Sequence, residues 1–217
     1  MINALTFDRK ILNMTPVATE QTKPKPVSLE AQAQEQTWAL AAQKGDRSAF
    51  MRIVEAYQRP VYNLCYRMLG GDVTEVEDAA QETFLRAYTK LNTYNPSRKF
   101  SSWLFSIASH YCIDRLRQRR YQMIGWDELS APDQDVLSSP EPQPEAVALT
   151  REDHATLHTL LNSLPPDYRA ATILRYWHEL SYDEIAETLE TSVSAIKSRL
   201  FRAKQMMAEK LEIRNEK

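Results

Sequence analysis

The sequence predicts an all-α protein made of two small helical domains joined by a flexible acidic linker. Three observations lead there. Apolar residues recur at helical spacing through most of 36–121 and again through 151–213. Only four glycines occur among 217 residues, which suits helices and argues against a sandwich, a barrel or a glycine-rich phosphate loop. Between the two patterned stretches, "GWDELSAPDQDVLSSPEPQPEA" (125–146) brings four prolines and six acids with few aliphatics, so it cannot pack a core. With 43% hydrophobic residues the chain can bury one moderate core or two small ones.

The elements follow in order. Residues 1–35, rich in Pro, Thr, Gln and Lys, read as a mobile tail with helical character only near its end. From Trp38 the pattern turns helical, with breaks expected at Gly45-Asp46 and before Pro60, and Gly70-Gly71-Asp72 closes that run. A further helix is expected from Val73 to about Leu91, then a loop at 92–97, then a helix over 100–120. This gives a first domain at 36–121 and a linker at 122–150. A second domain at 151–213, with a short tail at 214–217, holds an amphipathic "REDHATLHTLLNSL", the Pro165-Pro166 break, and two further helical segments.

Charge is unevenly divided. The formal net is −2, yet residues 36–121 carry +5 and residues 122–150 carry −6 without one base. The stretch Tyr94–Tyr121 gathers six aromatics and six Lys/Arg against one acid, Asp114. A duplex reader needs cations and hydrogen-bonding groups, whereas rings matter when bases have come unstacked. Tyr94, Phe100 and Trp103, beside Arg98, Lys99 and Ser101, therefore read either as a strand-holding junction or as core rings at helical spacing. Arg115, Arg117, Arg119 and Arg120 form a helix-end cluster able to touch duplex phosphates.

The C-terminal stretch carries a second DNA signal. Ser181 followed by Glu184 is a capping-box start, and a three-residue break at Glu190, Thr191 and Ser192 precedes a helix from Val193. Two helices joined so tightly fit a helix-turn-helix. On a helical wheel, Val193, Ile196, Leu200, Ala203 and Met207 share one arc. Ser194, Ser198, Phe201, Arg202 and Gln205 lie opposite, with Lys197 and Arg199 on the flanks and no acid anywhere between Val193 and Met207. An ordinary amphipathic helix also has a polar face, but a solvated face seldom excludes acids over four turns. Hydroxyls and cations on one face suit phosphate and base-edge contacts in a major groove.

Taken in order, "DAAQETFLRAY" (78–88), "FSSWLFSIASHYCIDRLR" (100–117) and "LPPDYRAATILRYWHELSYDEIAETLETSVSAIKSRLFRAK" (164–204) resemble a bacterial RNA polymerase sigma factor. The two-domain form resembles the extracytoplasmic-function group. That resemblance implies roles. The D-x-x-Q-E residues Asp78, Gln81 and Glu82, which share one helix face, would dock on core RNA polymerase. The Tyr94–Trp103 segment would open the −10 promoter element. The helix-turn-helix, through Ser194, Lys197, Ser198, Arg199, Phe201 and Arg202, would read the −35 element, and the acidic linker would lie in the polymerase channels. Promoter DNA and an anti-sigma factor are the other partners implied. The chain departs from the family's common pattern in having Glu190 rather than glycine in the turn, Ser194-Ala195 before Ile196, and "YNPSRKF" in the melting loop.

Other classes are weaker. A conventional helix-turn-helix regulator would explain 151–217 but leaves the D-x-x-Q-E helix and the ring-rich loop without purpose. His154 and His158 have the i, i+4 spacing of a zinc pair, but neither a glutamate after the first nor a third ligand accompanies them. No catalytic or metal site is expected, no cofactor, and no enzyme activity. Cys65 and Cys112 sit inside apolar helical patterns and read as buried free thiols of a reducing compartment. Asp8, Arg9 and Lys10 interrupt the N-terminal apolar residues, and no run reaches the roughly 20 residues of a membrane span, so a cytoplasmic protein without membrane insertion is expected.

Overall fold

The computed structural model describes residues 29–70, 72–127 and 155–215, and every regular element in them is helical. In chain order these are α1 (Leu29–Gln43), α2 (Arg47–Leu69), α3 (Val73–Thr89), a 3-10 turn (Leu91–Thr93) and α4 (Phe100–Asp127). The second half holds α5 (155–162), α6 (Pro166–Tyr176), α7 (Tyr182–Thr188) and α8 (Val193–Asn215). The linker from residue 128 onward, the tail before residue 29 and His154 lie outside the described residues.

Caps set the boundaries. Gly45 takes φ 96° between α1 and α2, and Asp46 then caps α2 by accepting from the Ser48 and Ala49 amides at 2.9 and 3.1 Å. Asp72 caps α3 in the same way, accepting from the Thr74 and Glu75 amides. Pro165 and Pro166 open α6, where a missing N–H has no intrahelical partner to lose.

Two expectations need correction, at Pro60 and at the end of α4, and two other helix ends become exact. The break before Pro60 is absent: α2 runs unbroken through Pro60, because Ile53, Tyr57, Val61 and Leu64 are buried along one stripe. The carbonyl deprived of its partner belongs to Ala56, an exposed residue, where water can serve it. Helix α1 begins at Leu29, where helical character near the end of the tail is expected, because "LEAQAQEQ" is made of good helix formers. Helix α3 ends at Thr89, and Leu91 belongs to the following 3-10 turn. Helix α4 continues to Asp127, through a run of Arg, Gln and Met, so Arg115–Arg120 lie within a helix and not at its end.

Helices α1, α3 and α4 pack around α2, and α6 and α7 pack on α8. The two groups also meet: α4 contacts α6 and α7, and α2 contacts α6. One apolar cluster therefore runs from Ala39 to Met207 without interruption. The free thiols Cys65 and Cys112 are both buried inside it.

The meeting surface is organised around the C-terminal end of α2. Its Met68 carbonyl accepts from Arg169 Nη1 at 2.6 Å and its Leu69 carbonyl from Arg119 Nη1 at 3.2 Å, so two cations serve carbonyls the helix leaves open. Arg169 also donates to the Asn162 side chain and carbonyl at 2.9 Å each. Burial, with the nearby charge of Arg119, lowers its pKa to about 10, which still leaves it protonated at neutral pH. Beside it, the Arg67 guanidinium lies 5.1 Å over the Trp177 ring, and the His178 ring is 4.4 Å from Phe105.

Candidate nucleic-acid interface

The helix-turn-helix forms as the sequence requires. Ser181 Oγ accepts from the Glu184 amide at 3.2 Å while Glu184 Oε2 accepts from the Ser181 amide at 2.7 Å, a complete capping box. Glu190 turns the chain with φ 49°, and the Thr191 amide closes back on the Ala186 carbonyl at 2.8 Å. A non-glycine residue in this left-handed region costs about 1 kcal/mol, which the tight closure must offset. Ser192 Oγ then accepts from the Ala195 amide at 3.2 Å and starts α8.

Along α8 the two faces separate as the wheel predicts. Ile196, Leu200, Ala203 and Met207 are buried against α6 and α7, while Ser194, Lys197, Ser198, Phe201, Arg202 and Gln205 are exposed. Lys197, Ser198, Phe201 and Arg202 line a shallow open groove, and Phe201 leaves 63% of its surface in solvent. Arg199 departs from the expected set. It is half-buried and turned toward Asp167 at 3.9 Å, away from that groove.

The ring-rich junction is arranged differently from the DNA-holding expectation. Tyr94 and Phe100 are each only 3% exposed, and Trp103 is partly buried. The three rings meet edge-on or tilted at centroid distances of 5.2–5.6 Å, and Tyr57 adds a fourth, edge-on at 5.7 Å from Phe100. The Tyr94 hydroxyl donates to the Arg98 carbonyl at 2.8 Å, which pins the loop across its own base. As folded, the Tyr94 and Phe100 rings are closed to a base, and Trp103 keeps part of its surface in solvent. Asn92, Thr93, Asn95, Ser97, Arg98 and Lys99 are the exposed side chains of the segment, and Ser101 is half-buried.

Its two cations, Arg98 and Lys99, face acids of the second half. Arg98 pairs with Glu187 at 2.6 Å and Lys99 with Glu184 at 2.5 Å. Burial alone would raise Glu184, but the Lys99 and Ser181 hydrogen bonds overcome it and hold the carboxyl below its ordinary range. Arg117 reaches Asp167 at 3.0 Å, Arg115 reaches Glu75 at 3.3 Å, and Arg119 also pairs with Glu75. Arg120 is exposed. These are partly solvated pairs worth at most about 1 kcal/mol each, so phosphates could compete for the same cations.

On α3, Asp78 and Gln81 are exposed and share a face with Glu82. Glu82 is half-buried and accepts from Arg86 at 2.7 Å, while the Arg86 guanidinium sits 4.8 Å over Tyr111. Sequence reasoning missed the apolar residues that follow this patch on the same helix: Leu85 and Tyr88 are both exposed. The signal was available, since Leu85 and Tyr88 lie at i+4 and i+7 from Gln81. It also missed Asp167, Glu184 and Glu187, and nothing local could have paired them with cations so far away in the chain. His158 packs edge-on against Tyr66 at 4.7 Å, and among the described residues no group of three His, Cys, Asp or Glu could hold a metal.

Two family models match the chain: sigma-70 region 2 over residues 53–121 and sigma-70, region 4 over residues 154–207. The ECF RNA polymerase sigma factor SigW of Bacillus subtilis is 37% identical over 174 residues, covering 77% of this chain and 91% of that one. Two solved structures share the fold. CnrH, solved with the cytosolic domain of CnrY, has a TM-score of 0.61 at 22% identity, covering 83% of this chain and 98% of that one. The sigma factor RpoE from Bartonella quintana, solved with the anti-sigma factor NepR, has a TM-score of 0.56 at 20% identity, covering 76% and 97%.

Proposed function

The chain belongs to the extracytoplasmic-function sigma factors of the sigma-70 family, and from that premise we propose how its surfaces divide the work of starting transcription. It binds core RNA polymerase, recognises the −35 and −10 promoter elements and opens the DNA for a stress- or signal-dependent set of genes. It acts as an initiation factor in the cytoplasm, and the polymerase carries out the chemistry. Among the described residues no helix is long and apolar enough to cross a membrane.

The observation that carries this reading is the polar face of α8. It follows a helix-turn-helix turn, is free of acid from Val193 to Met207, and presents Lys197, Ser198, Phe201 and Arg202 outward. Phosphate contacts from the cations would set register, and the serines and Phe201 would meet base edges and thymine methyls. Asp78, Gln81 and Glu82, rimmed by Leu85 and Tyr88, form the polymerase-docking patch. Apolar contact at its edge would strengthen charge-assisted hydrogen bonds to arginines of the partner. The 91–99 loop takes the −10 element, with Arg98 and Lys99 on the backbone. Tyr94, Phe100 and Trp103 support the loop from beneath until the strand enters, and Arg115–Arg120 meet the duplex beyond it.

An anti-sigma factor is the further partner, the class of protein with which the similar Bartonella quintana chain was solved. Runoff transcription tests the whole reading. Core polymerase with this chain should initiate from a cognate promoter and lose initiation when the −35 or −10 element is scrambled. Tight, specific binding of duplex promoter by the chain alone, with no effect on core polymerase, would point to an ordinary helix-turn-helix regulator instead.

A further inference from the structure

Helix α1 ends ten residues before the region 2 match begins at residue 53, and it touches the 91–97 loop through glutamine amides. Gln43 Nε2 donates to two carbonyls of the loop, Leu91 at 2.7 Å and Tyr94 at 3.0 Å, and so uses both of its hydrogens. One face along, Gln36 Nε2 donates to the Pro96 carbonyl at 2.5 Å. The two glutamines are seven residues apart, which puts them on the same stripe of the helix, on either side of the buried Ala39. All three contacts go to loop backbone. The loop's outward side chains, Asn92, Thr93, Asn95 and Ser97, remain exposed.

We infer that Gln36 and Gln43 are positioning residues for promoter opening: they fix the backbone path of the 91–97 loop so that its exposed polar side chains meet the separated strand in one geometry. The inference rests on the assignment of this loop to the −10 element. Neither amide touches DNA. Each removes a loop carbonyl from the set that could otherwise rotate outward, and Gln43 ties the two ends of the 3-10 turn to a single side chain. A loop held this way enters the strand-bound state without first being ordered, which is where preorganisation acts on a rate.

The test replaces each donor by a side chain of similar length without one: Gln36→Met, Gln43→Met and the double variant, in the full chain with core polymerase. Gln43→Glu adds a same-shaped group that confronts two carbonyls with negative charge. Three readouts are compared: core-polymerase affinity, closed-complex formation on duplex promoter, and the opening rate from permanganate reactivity of thymines near the −10 element. Opening should slow about tenfold or more in the double variant and in Gln43→Glu, given the usual worth of two or three hydrogen bonds. Core affinity and closed-complex formation should be unchanged, and a promoter with a pre-melted bubble should restore activity. Arg98→Ala and Lys99→Ala run alongside. If these slow opening while the glutamine variants do not, the glutamines do not position the loop and the inference is overturned with the loop assignment standing. If none of the variants slows opening, the loop assignment itself fails and takes the inference with it. If the glutamine variants lose core binding and activity on both templates alike, α1 is a structural support only, which also overturns the inference.

Discussion

Gly70 sits where two demands meet. It closes α2 in the left-handed region with φ 84°, and a Cβ built there would stand 2.9 Å from Asn162 Oδ1, the same oxygen that accepts from Arg169. Gly70→Ala should therefore strain the backbone and push Asn162 off Arg169 together. A loss of about 1–3 kcal/mol is expected, measured as a lower urea midpoint at unchanged slope. An unchanged midpoint would mean that the Asn162 contact carries no stability. At this scale the sequence is least transparent. Tyr94 and Phe100 have the composition of a strand-stacking site and yet turn inward, because Tyr57 and Trp103 offer ring edges and the Arg98 carbonyl takes the phenol. Both outcomes satisfy the same local pattern, and only the neighbours decide between them. Arg199 shows the same limit: its position on the wheel allowed the DNA face, but Asp167, from another helix, draws it away.

Single helices were far more legible. The α8 wheel separated buried from exposed residues because a 3.6-residue period and the positions of apolar groups are both written in the chain. The Ser181–Glu184 capping box and the glycine turns were legible for the same reason. Pro60 was not, since its helix-breaking tendency is local and the buried stripe that overrides it is tertiary. Two predictions belong to elements. Lys197→Ala and Arg202→Ala should each weaken promoter-dependent initiation and flatten its dependence on log salt by about one unit. Unaltered slopes would remove both cations from the DNA face. For α3, Asp78→Lys with Glu82→Lys should abolish co-purification with core polymerase while circular dichroism keeps the helical signal. Retained co-purification would assign docking elsewhere.

The two halves of the molecule bear on each other through charge and through a neutral imidazole. His178 keeps part of its surface in solvent, but its Nε2 is enclosed, and burial with the neighbouring charge of Arg67 lowers its pKa to about 3. Between that value and the ordinary 6.5 the unfolded chain binds more protons than the folded one. The stabilisation is thus present in full above about pH 6.5 and shrinks as the pH falls toward 3. Glu184, held below its ordinary range, adds a loss in the same direction at the acid end. The melting temperature should drop on acidification from pH 7 to 5, and His178→Gln should flatten that drop. An equal pH dependence in both proteins would place the proton uptake at another group. Charge reversal at Glu184 and Glu187 should leave each half folded but speed trypsin cleavage after Arg98 and Lys99, since the acids that pair with these exposed cations and hold their loop become repulsive and loosen it. Neither this pairing nor the shared core could be read from the chain, whose acidic linker suggests independent domains. The contact from Arg169 to Met68 spans 101 residues, and that separation has a meaning in time. At about 5–20 residues per second of synthesis, Arg169 is made about 5–20 s after Met68. Until then the first half leaves the ribosome with the Met68 carbonyl lacking its Arg169 partner and Phe105 not yet covered by His178, and it must stay soluble in that state. Every newborn molecule therefore passes once through a form in which its loop cations are unguarded, before the acids that pair with them have been translated.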